Sequence, residues 1–234
     1  MGRDVIVACD FSSAEATFSF LDKFSGLEKK PFVKIGMELY YAEGPDIVRE
    51  IKRRGHKIFL DLKLHDIPNT VKKAMAVLSR LDADIVNLHA AGTTAMMKAA
   101  LEGLTREDGT RPLLIAVTQL TSTDQESMER DLLIEKPIDE VVMHYAVTAK
   151  NAGLDGVVCS PLEARKVHDA CGAGFLTVTP GIRFAEGEKG DQKRVMTPAD
   201  AKAIGSDYIV VGRPITAAAD PVAAYERCLR EFTD

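Results

Sequence analysis

Lys57-Ile58-Phe59-Leu60-Asp61-Leu62-Lys63 is an apolar run of strand length with charge confined to three positions. Three consecutive apolar residues, Ile58, Phe59 and Leu60, mark a strand buried on both faces, as in a parallel sheet. Seven comparable runs share the chain: 5–10 (VIVACD), 31–36 (PFVKIG), 83–90 (ADIVNLHA), 111–120 (RPLLIAVTQL), 154–160 (LDGVVCS), 174–183 (GFLTVTPGIR) and 206–213 (SDYIVVGR). Between them the apolar residues fall at helical spacing. Val71, Ala74, Met75, Leu78 and Leu81 form one such face behind Pro68. Val222, Tyr225, Leu229 and Phe232 form another behind Asp220-Pro221, a helix-start pair. Further helices are expected at about 13–25, 44–55, 93–104, 137–153, 161–171 and 197–205, with Gly55, Gly153 and Gly172 as C-terminal caps.

Eight strands alternating with eight helices, undivided by any linker, predict an α/β fold: a (β/α)8 TIM barrel in a single domain over residues 1–234. A doubly wound open sheet is the structural alternative, but eight regular units in this length favour closure. The longest stretches without periodicity, 121–136 and 183–197, read as ligand or lid loops.

Composition narrows the functional classes. Against 35 acidic side chains stand 30 basic ones, a net charge of −5, which argues against a general nucleic-acid binder. Any phosphate bound here is expected to be small and held by a few local cations. The four cysteines, Cys9, Cys159, Cys171 and Cys228, lack metal-ligand spacing, and Cys9 and Cys159 read as buried thiols. No apolar run reaches membrane-spanning length, and the N-terminal residues do not resemble a secretory signal. A reduced, cytoplasmic setting is the expectation.

In such a barrel the active site lies at the C-terminal ends of the strands, so charge at those ends is informative. Alternation places Asp61 and Lys63 on one face of the third strand, Lys34 opposite Val33 and Ile35 on the second, and Asp10 with Ile6 and Ala8 on the first. If those faces meet in the barrel mouth, two lysines and two aspartates converge, and buried charges must alternate in sign. A salt-bridge network that merely closes the barrel is the plainer explanation for any one of them. Runs seven and eight end in Pro180-Gly181-Ile182-Arg183 and Val211-Gly212-Arg213-Pro214. Glycine admits a phosphate close to the backbone and arginine grips it in a bidentate fork. These endings point to a phosphorylated ligand. His89 shares a face with Ile85 and Asn87 and reads as mouth support or a ligand contact; His65 reads as support.

The segment Asp61-Leu62-Lys63-Leu64-His65-Asp66-Ile67-Pro68-Asn69-Thr70 resembles the signature of the orotidine 5′-phosphate decarboxylases, D-x-K-x-x-D-I-P-N-T. The likeness extends through CDF, VKIG, VNLHA, TQLTS, TPGIR and VGRPI. It implies a homodimeric barrel that converts orotidine 5′-monophosphate to uridine 5′-monophosphate and CO2, the last step of de novo UMP synthesis, with neither metal nor organic cofactor. It further implies that Lys63 protonates C6, flanked by Asp61 and by Asp66 from the partner subunit. Lys34 joins the charge network and reaches toward the ribose, and Asp10 binds a ribose hydroxyl. Thr70 acts across the interface, Thr121 lies near the pyrimidine, and Arg183, Gln192, Gly212 and Arg213 hold the phosphate.

Three rivals remain. Metal-dependent sugar-phosphate decarboxylases and lyases share this barrel but carry a carboxylate metal ligand where Lys34 stands. A Schiff-base aldolase using Lys63 is disfavoured by aspartates that keep the amine protonated. A non-catalytic nucleotide-phosphate-binding barrel does not require the Asp61/Lys63/Asp66 set.

Overall fold

A computed structural model describes residues 3–186 and 196–234. Its eight strands are β1 (Asp4–Cys9), β2 (Phe32–Gly36), β3 (Ile58–Leu64), β4 (Ile85–His89), β5 (Leu113–Val117), β6 (Gly156–Val158), β7 (Leu176–Thr179) and β8 (Tyr208–Val211). All pair in parallel and in chain order, and β8 returns to β1, so the sheet closes into a barrel. The helices are α1 (Ala14–Asp22), α2 (Met37–Glu43), α3 (Asp46–Arg53), α4 (Pro68–Leu78), α5 (Thr93–Leu104), α6 (Gln125–Leu132), α7 (Ile138–Asn151), α8 (Ala164–Cys171), α9 (Pro198–Ile204), α10 (Arg213–Thr216) and α11 (Pro221–Thr233). Among the described residues, no helix is long and apolar enough to cross a membrane.

Strand alternation divides the core in two. One set of side chains, including Ile6, Ala8, Phe32, Phe59, Ile85, Ile115, Val178, Tyr208 and Val210, fills the barrel interior. The intervening residues, such as Val5, Val7, Val33, Ile35, Leu60 and Val86, pack outward under the helices. Because both faces are covered, the strands carry continuous apolar runs, which is why they are legible in the sequence.

The N-terminal end of the barrel is stitched by aspartates. Asp84 Oδ2 accepts the Ile58 N–H at 2.8 Å and the Lys52 ammonium at 2.8 Å. Asp155 Oδ2 accepts the Leu114 N–H at 2.7 Å while its carboxylate grips Arg111. Asp207 Oδ2 accepts from both the N–H and hydroxyl of Thr177, at 2.8 and 2.9 Å. Each carboxylate ties the start of one strand to its neighbour, a charge-assisted bond stronger than a neutral one. This end of the barrel is thus committed to stability.

Most helix expectations hold, and Gly55, Gly153 and Gly172 do adopt positive φ after their helices. Asp220 caps α11, accepting the Val222 and Ala223 N–H groups. Three helices lie outside the expected eight. The helix expected at 44–55 is α3 alone; α2 precedes it, separated by Gly44 at φ +69° and Pro45. Within 121–136 sits α6, started by a reciprocal cap between Asp124 and Ser127 and ended by Leu133 in the left-handed region. Only Met128 of α6 is buried, so it has no apolar stripe to betray it. The third, α10, is a single turn after β8. Of the expected loop 183–197, residues 187–195 lie outside the described residues, and Gln192 is among them.

Candidate active site

The inward alternation of β2, β3 and β4 continues above the apolar interior with Lys34, Asp61 and Asn87. All three are buried, Asp61 to 7% exposure and Asn87 to 1%. Lys34 Nζ lies 2.7 Å from Asp10 Oδ1 and 3.4 Å from Asp61 Oδ2, and Lys63 Nζ lies 2.7 Å from Asp61 Oδ1. The order along the rim is therefore Asp10, Lys34, Asp61, Lys63, alternating in sign. Gly36 makes room for it: a Cβ there would stand 2.8 Å from Asp10 Oδ1 and 3.2 Å from Lys34 Nζ.

Lys63 does not reach this position by simple alternation. From Leu60 to Leu64, β3 advances four residues while β4 advances two, from Val86 to Leu88, so β3 carries a bulge. Lys63 sits in it at φ +50°. A left-handed backbone costs a residue with a side chain about 1–2 kcal/mol, so local contacts must hold it there. The Lys63 N–H donates to Asn87 Oδ1 at 2.8 Å, and Asn87 Nδ2 donates to Asp61 Oδ1 at 2.6 Å.

The two buried charges at the centre, Lys34 and Asp61, are held in their ionised forms by their neighbours. Burial alone pulls the Lys34 pKa down, but the carboxylates of Asp61 and Asp10 outweigh it and raise it. Burial pushes Asp61 up, yet Lys34, Lys63 and the Asn87 hydrogen bond bring it below the ordinary carboxylate value. His89 is driven down by burial and by the neighbouring His65 and Lys63; its ring lies 5.7 Å from that of His65. The buried Cys9 thiol is pushed up to about 12, consistent with an inert buried residue.

A cavity of about 290 Å3 opens beside this network. Lys34, Asp61 and Lys63 line it together with Thr121, Gln119, Ser122, Val117 and Val158. Thr121, expected near the pyrimidine, is among these lining residues. Arg183, Gly212 and Arg213 follow the paired strands β7 and β8 outside that lining. A Cβ on Gly212 would meet Ala8 at an ordinary 3.7 Å. Asp66 and Thr70 are exposed and do not line the cavity; the Asp66 carboxylate accepts the Ile67 N–H at 2.6 Å. Asn87 is the residue whose place in the network the sequence reading missed. Its signal was available: a polar residue on an inward-facing position of an otherwise apolar strand.

Residues 3–228 match the profile of the Orotidine 5'-phosphate decarboxylase / HUMPS family. The chain belongs to that family. It is 56% identical over 235 residues to the orotidine 5'-phosphate decarboxylase of Geobacillus sp. strain WCH70, covering 99% of this chain and 98% of the relative. It is 58% identical over 229 residues to that of Streptococcus thermophilus, covering 98% and 97%. Among solved structures, orotidine 5'-phosphate decarboxylase from Lactobacillus acidophilus superposes with a TM-score of 0.88 at 44% identity, covering 99% of this chain and all of that one. A conserved protein from Geobacillus kaustophilus superposes at 0.86 with 52% identity, covering 97% and 99%. The barrel and its closure are therefore those of the family.

The coupled charges set a sign for pH dependence. The depressed Asp61 pKa contributes stability that is complete above the ordinary carboxylate value and lost as pH falls through the lower folded value. The raised Lys34 pKa contributes stability that is complete below the ordinary lysine value and lost only as pH rises through the higher folded one. Lys34→Met leaves Asp61 buried with one cation fewer and is expected to cost about 3–5 kcal/mol at pH 7. In denaturant unfolding the loss should shrink at acid pH, as protonation removes the Asp61 charge that Lys34 balanced; an equal loss at pH 7 and pH 4 contradicts the coupling.

Proposed function

We propose that this protein decarboxylates orotidine 5′-monophosphate to uridine 5′-monophosphate and CO2, without metal or organic cofactor, and that Lys63 supplies the proton to C6. The observation that carries the reading is the Asp10–Lys34–Asp61–Lys63 array beside a cavity of about 290 Å3. The bond from C6 to the carboxylate breaks, CO2 leaves, and its electron pair stays on C6. A proton passes from Lys63 Nζ to that carbon, leaving a neutral amine that takes a proton from solvent to restore the ammonium.

An ammonium fixed beside C6 attracts the developing carbanion more strongly than the neutral ring carbon that precedes it. That difference lowers the barrier, and its preorganisation avoids a reorganisation cost. Asp61, 2.7 Å from Lys63 Nζ, holds the lysine by an ion pair and its charge repels the substrate carboxylate beside it. Lys34 and Asp10 are suited to the ribose hydroxyls, and Thr121 to the pyrimidine. Arg183, Gly212 and Arg213 are assigned the phosphate, with Gln192 as a further ligand outside the described residues.

The metal-dependent alternative is disfavoured by chemistry rather than by any vacancy: a divalent cation at the end of β2 would face the Lys34 ammonium. Incubation of the purified protein with orotidine 5′-monophosphate and EDTA, followed by absorbance, should show full turnover. No turnover defeats the reading; EDTA-sensitive turnover of a sugar phosphate installs the alternative.

A homodimer completes the proposal, with Asp66 and Thr70 serving the partner's site. The turn bearing Asp66 and the first turn of α4 bearing Thr70 are exposed, and Ile67 between them leaves 66% of its surface in solvent, which fits an interface better than a free surface. Lys63→Ala and Asp66→Ala subunits, each inactive alone, should regain activity on mixing as hybrid dimers recover one intact site. Absence of recovery, with subunit exchange verified, counts against shared sites.

A further inference from the structure

We infer that Asn87 is the positioning residue of this site: its side-chain amide fixes the bulged backbone at Lys63 and the carboxylate of Asp61 in one frame, and so aims the Lys63 ammonium. The inference rests on the decarboxylase reading for its chemistry and on geometry for its form.

The bulge interrupts the ladder between β3 and β4 at the residues that carry the reacting charges. The Lys63 N–H there donates to Asn87 Oδ1 at 2.8 Å. The opposite end of the same amide donates to Asp61 Oδ1 at 2.6 Å. The amide orientation is determined by its partners, since a backbone N–H only donates and an ionised carboxylate only accepts. Asp61 Oδ1 also receives the Lys63 ammonium at 2.7 Å. Asn87, Asp61 and Lys63 therefore close a ring in which the lysine is held at both ends, by its backbone through Asn87 and by its ammonium through Asp61.

Few side chains meet both demands. Leucine offers neither group, serine is too short to span the two, and aspartate sets a second carboxylate against Asp61. Asn87 is 1% exposed, at an inward position of β4 in register with Ile115, so the barrel wall rather than a loop sets its place. It does not line the cavity, so its effect on a substrate passes through Lys63 and Asp61.

The test uses the full-length protein with two substitutions. In Asn87→Ala, kcat on orotidine 5′-monophosphate should fall on the order of 100-fold, with KM changed less than about threefold, because the reacting group is misplaced while the ligand-binding residues remain. Asn87→Asp is isosteric and keeps the acceptor for the Lys63 N–H. Its new carboxyl faces Asp61 directly, with Lys34, Lys63 and Asp10 in the same network and His89 and His65 nearby. Ionised, it repels Asp61; protonated, it donates to Asp61 as the amide does. Its kcat should therefore recover as pH falls through the new group's titration, a gain absent from the wild type.

Hydrogen exchange at the Lys63 amide supplies a readout independent of turnover: protected in the wild type, it should become fast in Asn87→Ala. A folded Asn87→Ala with kcat within about threefold of wild type overturns the inference. So does an Asn87→Asp profile parallel to the wild type, which decides the matter if the alanine variant does not fold. Wild-type protein without turnover defeats the decarboxylase reading instead, and unchanged Lys63 amide exchange then defeats the positioning claim separately.

Discussion

A carboxylate buried inside a barrel must be neutralised, and Asp61 is neutralised by two ammonium groups, Lys34 at 3.4 Å and Lys63 at 2.7 Å. Much of the upper barrel follows from that requirement. Lys34 in turn needs a second carboxylate, found in Asp10, and their approach needs a glycine at position 36. Lys63 can stand beside Asp61 only through a bulge and a left-handed backbone, and these hang on Asn87. The cost of concentrating charge here is offset elsewhere, by the apolar interior and by aspartates that clamp the opposite ends of the strands. One end of the barrel is built to persist and the other to act.

The barrel was legible because its strands are buried on both faces and its main helices carry one apolar stripe each. Ile58-Phe59-Leu60 and Val71-Met75-Leu78 announce their elements, as does Asp220-Pro221 at the start of α11. α6 was not legible: it buries only Met128 and owes its start to the Asp124–Ser127 cap, a local hydrogen-bond pattern without periodicity. α2 was not expected either: it follows β2 directly at Gly36 and buries only Leu39.

The site was legible in its charges and not in their frame. Asp10, Lys34, Asp61 and Lys63 stand out as polar residues in apolar runs, and the structure brings them together. Alternation alone, however, gives no hint that Lys63 needs φ +50°, since a bulge arises from pairing between strands remote in sequence. Asn87, neutral and on another strand, carried no charge to draw attention. Asp66, Thr70, Arg183, Gly212 and Arg213 lie outside the cavity lining, and the roles proposed for them call on a partner subunit and a ligand.

In the proposed reaction a fixed ammonium at Lys63 acts on the transition state more than on the bound nucleotide. The direct measurement is kcat/KM for orotidine 5′-monophosphate in Lys63→Ala beside the affinity of the same variant for uridine 5′-monophosphate. Loss of a preorganised charge at the reacting carbon should lower kcat/KM by at least about 1,000-fold, with product affinity changed less than about tenfold. A kcat/KM within about tenfold of wild type, or a loss of product affinity as large as the loss of kcat/KM, would contradict it.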